Sequence, residues 1–286
     1  MNRNARMPEV SRRQLIGALG LASVTAGNLQ SAPLGLPVGC QTYPVRQALG
    51  KDFDGTLKEL AAIGFRRIEM CSPPGYDRAG YGPLVSMKPS EMRQRIQAAG
   101  LGCESCHYQF RELKQSLDER IAYAKELGLK QMVVSTFSMP KESTLSDWAR
   151  AAGELNPIAE KIRKAGMETA FHNHNIEFTK LDGVLIFDKL MSEFDPKLVK
   201  SQYQVWVVSM GFDSVEIFQK YPGRILSLHL QDYSPASKGM VAIGQGAVDW
   251  KKLFGAAKKA GVKNYFVEMD LDLMKTSYAY LRDWKA

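Results

Sequence analysis

Cysteine, histidine and tryptophan each occur only four times in this 286-residue chain, and aromatics make up 9% of it. Cys103-x-x-Cys106 has no second cysteine pair to complete a four-thiolate zinc site. It also lies along a strand-like run, not at a helix start, so it reads as packing and not as a redox motif. No apolar run after the N-terminus approaches the roughly 20 residues needed to span a bilayer. Basic residues outnumber acidic ones, 38 to 30, for a formal charge of +8. Beyond the N-terminal segment they are spread over helical faces without a basic stripe, which argues against a nucleic-acid partner. A glycine-rich phosphate loop is missing too, because Gln41-Thr-Tyr-Pro-Val follows the first strand-like run. Gly244-Gln-Gly246 comes late and lacks the rest of a dinucleotide fingerprint, so it reads as a turn. What is present is 45% hydrophobic content, enough for one large buried core.

Residues 1–32 read as a targeting segment. Ser11-Arg12-Arg13-Gln14-Leu15-Ile16 is a twin-arginine pattern, followed by a modestly apolar stretch from Leu15 to Ala26. Such leaders direct bacterial export, so the expected location is the periplasm, with no membrane attachment after cleavage. Export by this route usually follows folding in the cytoplasm. In the periplasm Cys40, Cys71, Cys103 and Cys106 would be free to form disulfides.

From residue 33 to 286 the chain alternates short apolar runs with helical patterns. Strand-like runs are predicted at Val38–Tyr43, Phe65–Met70, Leu101–His107 and Gln131–Ser135. Later ones are predicted at the run closed by His172, at Val199–Val205, at Ile225–Leu230 and at Tyr265–Met269. Helices predicted between them stop at glycines such as Gly64, Gly100, Gly128, Gly166 and Gly261. Eight β/α units leave a closed barrel or an open doubly wound sheet. The missing phosphate loop selects the α/β (β/α)₈ TIM barrel.

All four histidines, His107, His172, His174 and His229, fall where such a run ends, and Glu268 closes another. Barrels of this class place their active sites at the C-terminal ends of their strands. Residues two apart share a strand face, so His172 and His174 point together, as do Gln202 and Gln204. Mixed imidazole, carboxylate and amide donors suit a divalent ion such as Mn²⁺, Co²⁺, Zn²⁺ or Mg²⁺. The predicted ligands are His172, Gln204, His229 and Glu268. Such an ion can bind two sugar oxygens and acidify the proton beside a carbonyl, which a carboxylate then moves. Glu177, Glu268 and His174 are the candidates for that acid–base work. Gln41, Glu69, His107, Gln202 and Trp206 are the candidates for binding the sugar. A salt bridge to Arg66 or Arg67 is the competing reading for Glu69.

Five segments carry a family resemblance: Phe171–Phe178, Lys220–Asp232, Ile243–Trp250, Val267–Asp270 and Ser277–Arg282. As a set they resemble the sugar phosphate isomerase/epimerase family with a xylose isomerase-like TIM barrel. The resemblance implies a divalent metal held from strands five to eight and carboxylates acting on a carbonyl sugar or polyol. By position it implies His172 or Glu177 on strand five, His229 on strand seven and Glu268 on strand eight. Strand six departs. The family carries Asp there, whereas this chain reads Ser201-Gln-Tyr-Gln204-Val-Trp206. Gln204 matches that Asp with one residue deleted, and Tyr203 matches it without a gap.

Two functions follow as expectations. One is a metal-dependent isomerase, epimerase or lyase abstracting a proton beside the carbonyl of a non-phosphorylated sugar, keto-glycoside or inosose. The other is a catalytically degenerate periplasmic sugar-binding barrel, marked by the neutral Gln204. The partner is a small-molecule sugar, and assembly into a homo-oligomer is compatible with either function.

Overall fold

The computed structural model describes residues 32–285. The twin-arginine segment lies outside the described residues, apart from Ala32. Eight parallel strands close a barrel: β1 (Gly39–Gln41), β2 (Arg67–Cys71), β3 (Gly102–Gln109), β4 (Gln131–Thr136), β5 (Glu168–His172), β6 (Val199–Gln204), β7 (Ile225–Leu230) and β8 (Asn264–Val267). Every strand pairs with its sequence neighbours, and β8 returns to β1 through Cys40 opposite Val267. This is the expected (β/α)₈ topology.

Helices α1 (Arg46–Lys51) and α2 (Phe53–Ile63) follow β1, and α3 (Pro89–Ala98) follows β2. Then come α4 (Phe110–Leu127), α5 (Leu145–Lys164), α6 (Ile186–Glu193), α7 (Ser214–Lys220), α8 (Trp250–Ala260) and α9 (Leu271–Arg282). Side-chain caps fix the starts of α2, α5, α7, α8 and α9. Asp52 accepts from the Gly55 N–H, Asp249 from that of Lys252 and Asp270 from that of Leu273. Thr144 and Asp147 form a reciprocal capping box on α5. Among the described residues no helix is long and apolar enough to cross a membrane.

The main core lies between barrel and helices, where Leu57, Leu60, Met92, Leu113, Leu155, Leu190 and Phe254 are buried. Val133, Ala170 and Leu226 form a second, small apolar cluster of their own. Above the N-terminal end of the barrel the interior turns polar. Asn264 on β8 donates to Gln131 on β4 at 2.9 Å.

Three sequence expectations change. All four thiols are free, and Cys40, Cys71 and Cys106 are buried. Arg67 pairs with Glu104, and Arg66 donates to the carbonyls of Ala61, Gly64 and Phe65, so neither pairs with Glu69. The sixth strand ends at Gln204, one residue short of the expected Val205, where Val205–Met210 winds into a 3-10 helix.

Candidate active site at the barrel mouth

A polar layer fills the barrel where large branched apolar side chains are usual. Its centre is Glu69 of β2, which has no exposed surface. Gln41 Nε2 donates to Glu69 Oε2 at 2.7 Å and Gln202 Nε2 to Oε1 at 2.8 Å. The Ser105 hydroxyl also donates to Oε1, and His229 Nε2 lies 2.6 Å from Oε2. Burial works against the charge on Glu69. The imidazoles of His107 and His229 outweigh it and hold the carboxyl well below the usual carboxylate range.

His229 links this layer to the mouth. Its Nδ1 lies 3.0 Å from Glu268 Oε2, just past β8. Burial alone would lower the pKa of His229, but Glu268 and Glu69 raise it to about 10. Burial likewise opposes ionisation of Glu268, and His229 reverses the direction to a lowered pKa. Gln204 pairs with His229 across the β6–β7 register, and its Nε2 lies 3.4 Å from Glu268 Oε2. Gln231 adds a donor to the same oxygen at 3.3 Å.

Above Glu268 opens a cavity of about 480 Å³. His107, His172, His174, Gln204 and Glu268 line it, together with Tyr43, Arg46, Tyr76, Gln109, Thr136, Gln231 and Asp270. His172 is buried, while His174 sits at the exposed rim with its ring edge-on to His172 at 4.7 Å. Burial lowers the pKa of both rings, so both are neutral near pH 7.

Gln41, Glu69 and Gln202 do not line the cavity. They lie below it, with their polar atoms turned to one another. Trp206 is not a lining residue either, because the 3-10 helix after β6 carries it against Tyr233, edge-to-face at 5.6 Å. Glu177 is buried in the turn after β5, where it accepts the His174 backbone N–H at 2.7 Å. Its other oxygen has no partner, and burial pushes its pKa up to about 7. Tyr203 is packed outside the barrel against Phe218 at 5.1 Å, so it is Gln204 that occupies the inward strand-six position.

Three features were missed from sequence. Tyr43 and Arg46 follow β1, and the guanidinium stacks 4.1 Å over the Tyr43 ring, donating to the Tyr43 carbonyl at 2.8 Å. Among the described residues Arg46 is the only lysine or arginine lining the cavity. Asp232 proves to be a buried anchor. It accepts from the backbone N–H groups of Tyr233, Gly244, Gly246 and Val248 and from the Trp250 indole. The signal was the spacing of Asp232, Gly244, Gly246 and Trp250, which reads as one unit only once Asp232 is known to be enclosed.

The donor set fits a divalent cation. The ring nitrogens of His107, His172 and His229 offer ligand atoms within 4.8 Å of one another. Nδ1 of His172 is buried without a hydrogen-bond partner among the described residues. His229 Nδ1 and Glu268 Oε2, 3.0 Å apart, have the spacing of adjacent ligands with bonds of about 2.1 Å.

A closed parallel barrel with imidazoles, carboxylates and amides converging at its C-terminal mouth defines the TIM-barrel class, whose sites lie at that face. Within it, the chain belongs to the xylose isomerase-like TIM barrel family, whose model matches residues 57–283. Over 246 residues it is 25% identical to an inosose dehydratase of Geobacillus thermodenitrificans, covering 75% of this chain and 80% of the relative. A sugar phosphate isomerase/epimerase from Parabacteroides distasonis superimposes with a TM-score of 0.72 at 24% identity, over 86% of this chain and 94% of that one. The IOLI protein, solved with a zinc atom bound, superimposes with a TM-score of 0.62 at 14% identity, over 86% of this chain and 94% of that one. These two likenesses establish the fold.

Proposed function

We propose that this protein is a metal-dependent lyase, isomerase or epimerase that removes a proton beside the carbonyl of a non-phosphorylated sugar, keto-glycoside or inosose. The observation that carries this reading is the Glu268 carboxyl, held by His229 at 3.0 Å on the wall of a sugar-sized cavity. Glu268 takes the proton from the carbon next to the ketone. His174 at the rim, neutral at rest, relays protons: it takes one from solvent and hands it to the substrate. Arg46, which pairs with no carboxylate among the described residues, binds the oxygen-rich far end of the substrate. A divalent cation held by His172, His229, Glu268 and the amide oxygen of Gln204 would polarise the carbonyl as a Lewis acid. The inosose dehydratase relatives favour elimination of water as the outcome of proton removal.

The test is exchange of substrate α-hydrogen in deuterated solvent, with inosose and keto-glycosides as substrates. Time-dependent, chelator-sensitive exchange is the expected result. Gln204 supports a second reading, a sugar-binding barrel without turnover, because a neutral amide replaces a charged ligand. Ligand binding by calorimetry with no exchange on any ketosugar would select it. The twin-arginine pattern supports export to the periplasm, where non-phosphorylated substrates are the available ones. A reporter fused behind residues 1–32 tests this, and substitution of Arg12 and Arg13 by Lys should abolish its export.

A further inference from the structure

Glu69 presents a problem of purpose. A buried carboxylate is costly to desolvate, and well-packed apolar residues commonly serve stability as well or better. It does not reach the cavity, so substrate cannot be its partner. An ionised carboxylate is an acceptor only, with about four lone-pair sites. Four donors fill them. Ser105 Oγ and Gln202 Nε2 point to Oε1, and Gln41 Nε2 and His229 Nε2 to Oε2. His107 Nε2, 3.2 Å from Oε2, donates instead to Gln202 Oε1 at 2.6 Å. These contacts join β1, β2, β3, β6 and β7 at one point.

Since Glu69 cannot donate, the hydrogen in the 2.6 Å contact belongs to His229 Nε2. Only Nδ1 is then left to face Glu268, donating to it when the ring is protonated and offering its lone pair to a cation when the ring is neutral. We propose that Glu69 is a positioning residue, whose Oε2 orients the His229 ring and assigns Nδ1 to the reacting face. Ring-orienting carboxylates behind a metal-binding imidazole commonly change metal affinity about 10–100-fold. The inference rests on the mouth being the reaction site. The tautomer of His229 can nevertheless be measured without substrate or turnover, so a failed search for a reaction leaves the inference standing.

The experiment is ¹⁵N NMR of the histidine rings in the full barrel, with the His229 signals identified by their loss in His229→Asn, plus calorimetric titration with Zn²⁺. The wild type should carry a hydrogen on His229 Nε2. Glu69→Gln replaces one acceptor oxygen with a donor group. It should alter the His229 ring signals and weaken Zn²⁺ binding about 10–100-fold, while circular dichroism shows the barrel intact. Ser105→Ala removes a partner of the other oxygen and should leave both readings as in the wild type. A wild-type His229 protonated only on Nδ1 overturns the proposal. So does Glu69→Gln with unchanged ring signals and Zn²⁺ affinity, or Ser105→Ala with the same losses as Glu69→Gln. If Glu69→Gln does not fold, the wild-type tautomer and Ser105→Ala decide. If the wild type takes up no Zn²⁺, the tautomer decides alone.

Discussion

His229 stands between two carboxylates, 2.6 Å from Glu69 below and 3.0 Å from Glu268 above. The lower contact is sealed inside the barrel and the upper one opens on the cavity. One imidazole thereby couples the interior of the barrel to the surface on which a substrate would lie.

Strand six offers the sharpest test of metal use. Gln204 pairs with His229 in the β-ladder and reaches toward Glu268. Its amide oxygen is a neutral donor, whereas hard divalent ions favour carboxylates. Gln204→Asp should tighten Mn²⁺ or Zn²⁺ binding by about an order of magnitude in a calorimetric titration. Equal or weaker affinity would mean that this side chain does not face the cation.

The strand pattern and the C-terminal placement of His107, His172, His229 and Glu268 were legible because a parallel barrel repeats one rule eight times. The direction of each side chain was legible only in part. Alternation correctly paired Gln202 with Gln204, yet Gln202 lies deep and Gln204 at the mouth, because two residues of strand carry the chain from interior to cavity. Trp206 escaped because a 3-10 helix breaks the alternation immediately after β6. Glu69 was ambiguous because two arginines adjoin it in sequence, and only the folded chain turns Arg67 to Glu104 and Arg66 to backbone carbonyls. Arg46 was not singled out at all, since it sits in a loop helix whose position depends on the closed barrel.

Asp232 is a stability determinant, which its place beside His229 in sequence concealed. Removing its carboxylate in Asp232→Ala strands four backbone donors and the Trp250 indole. Each buried unsatisfied donor costs about 1–3 kcal/mol, so the loss should exceed about 3 kcal/mol. Urea unfolding measures it. Gly246→Ala should also destabilise, because an added Cβ would lie 2.1 Å from Asp232 Oδ1. A loss under about 1 kcal/mol for Asp232→Ala would show that water or neighbouring groups replace the carboxylate.

Glu177 predicts a pH dependence of stability. Burial raises its pKa from 4.5 to about 7 in the folded chain. The raised value means that its contribution is fully present below pH 4.5 and is lost as pH rises to about 7. Above that, the folded state carries an ionised group it would rather keep neutral. The shift corresponds to about 3 kcal/mol at pH 8. Glu177→Gln retains an oxygen for the His174 N–H and cannot ionise. Relative to the wild type, it should gain up to about 3 kcal/mol between pH 5 and pH 8. A wild-type-to-variant difference that is the same at both pH values would place the shift elsewhere.

The last prediction concerns the base. Glu268 is ionised, lines the cavity and is steadied by His229, Gln204 and Gln231. His174 is the other cavity-lining candidate, neutral near pH 7 and more exposed. Glu268→Gln preserves size and most hydrogen bonding but removes the ability to accept the substrate's proton. Positioned acid–base groups contribute about 10²–10⁴-fold, so α-hydrogen exchange should slow by that factor. His174→Gln should slow it less if solvent can replace a group at the rim, and added imidazole should restore part of the rate. KM should change little in Glu268→Gln if Arg46 and the far wall supply most of the binding, whereas Arg46→Ala should raise KM and spare kcat. Exchange that survives undiminished in Glu268→Gln but collapses in His174→Gln would move the base to the rim, leaving Glu268 with the cation alone.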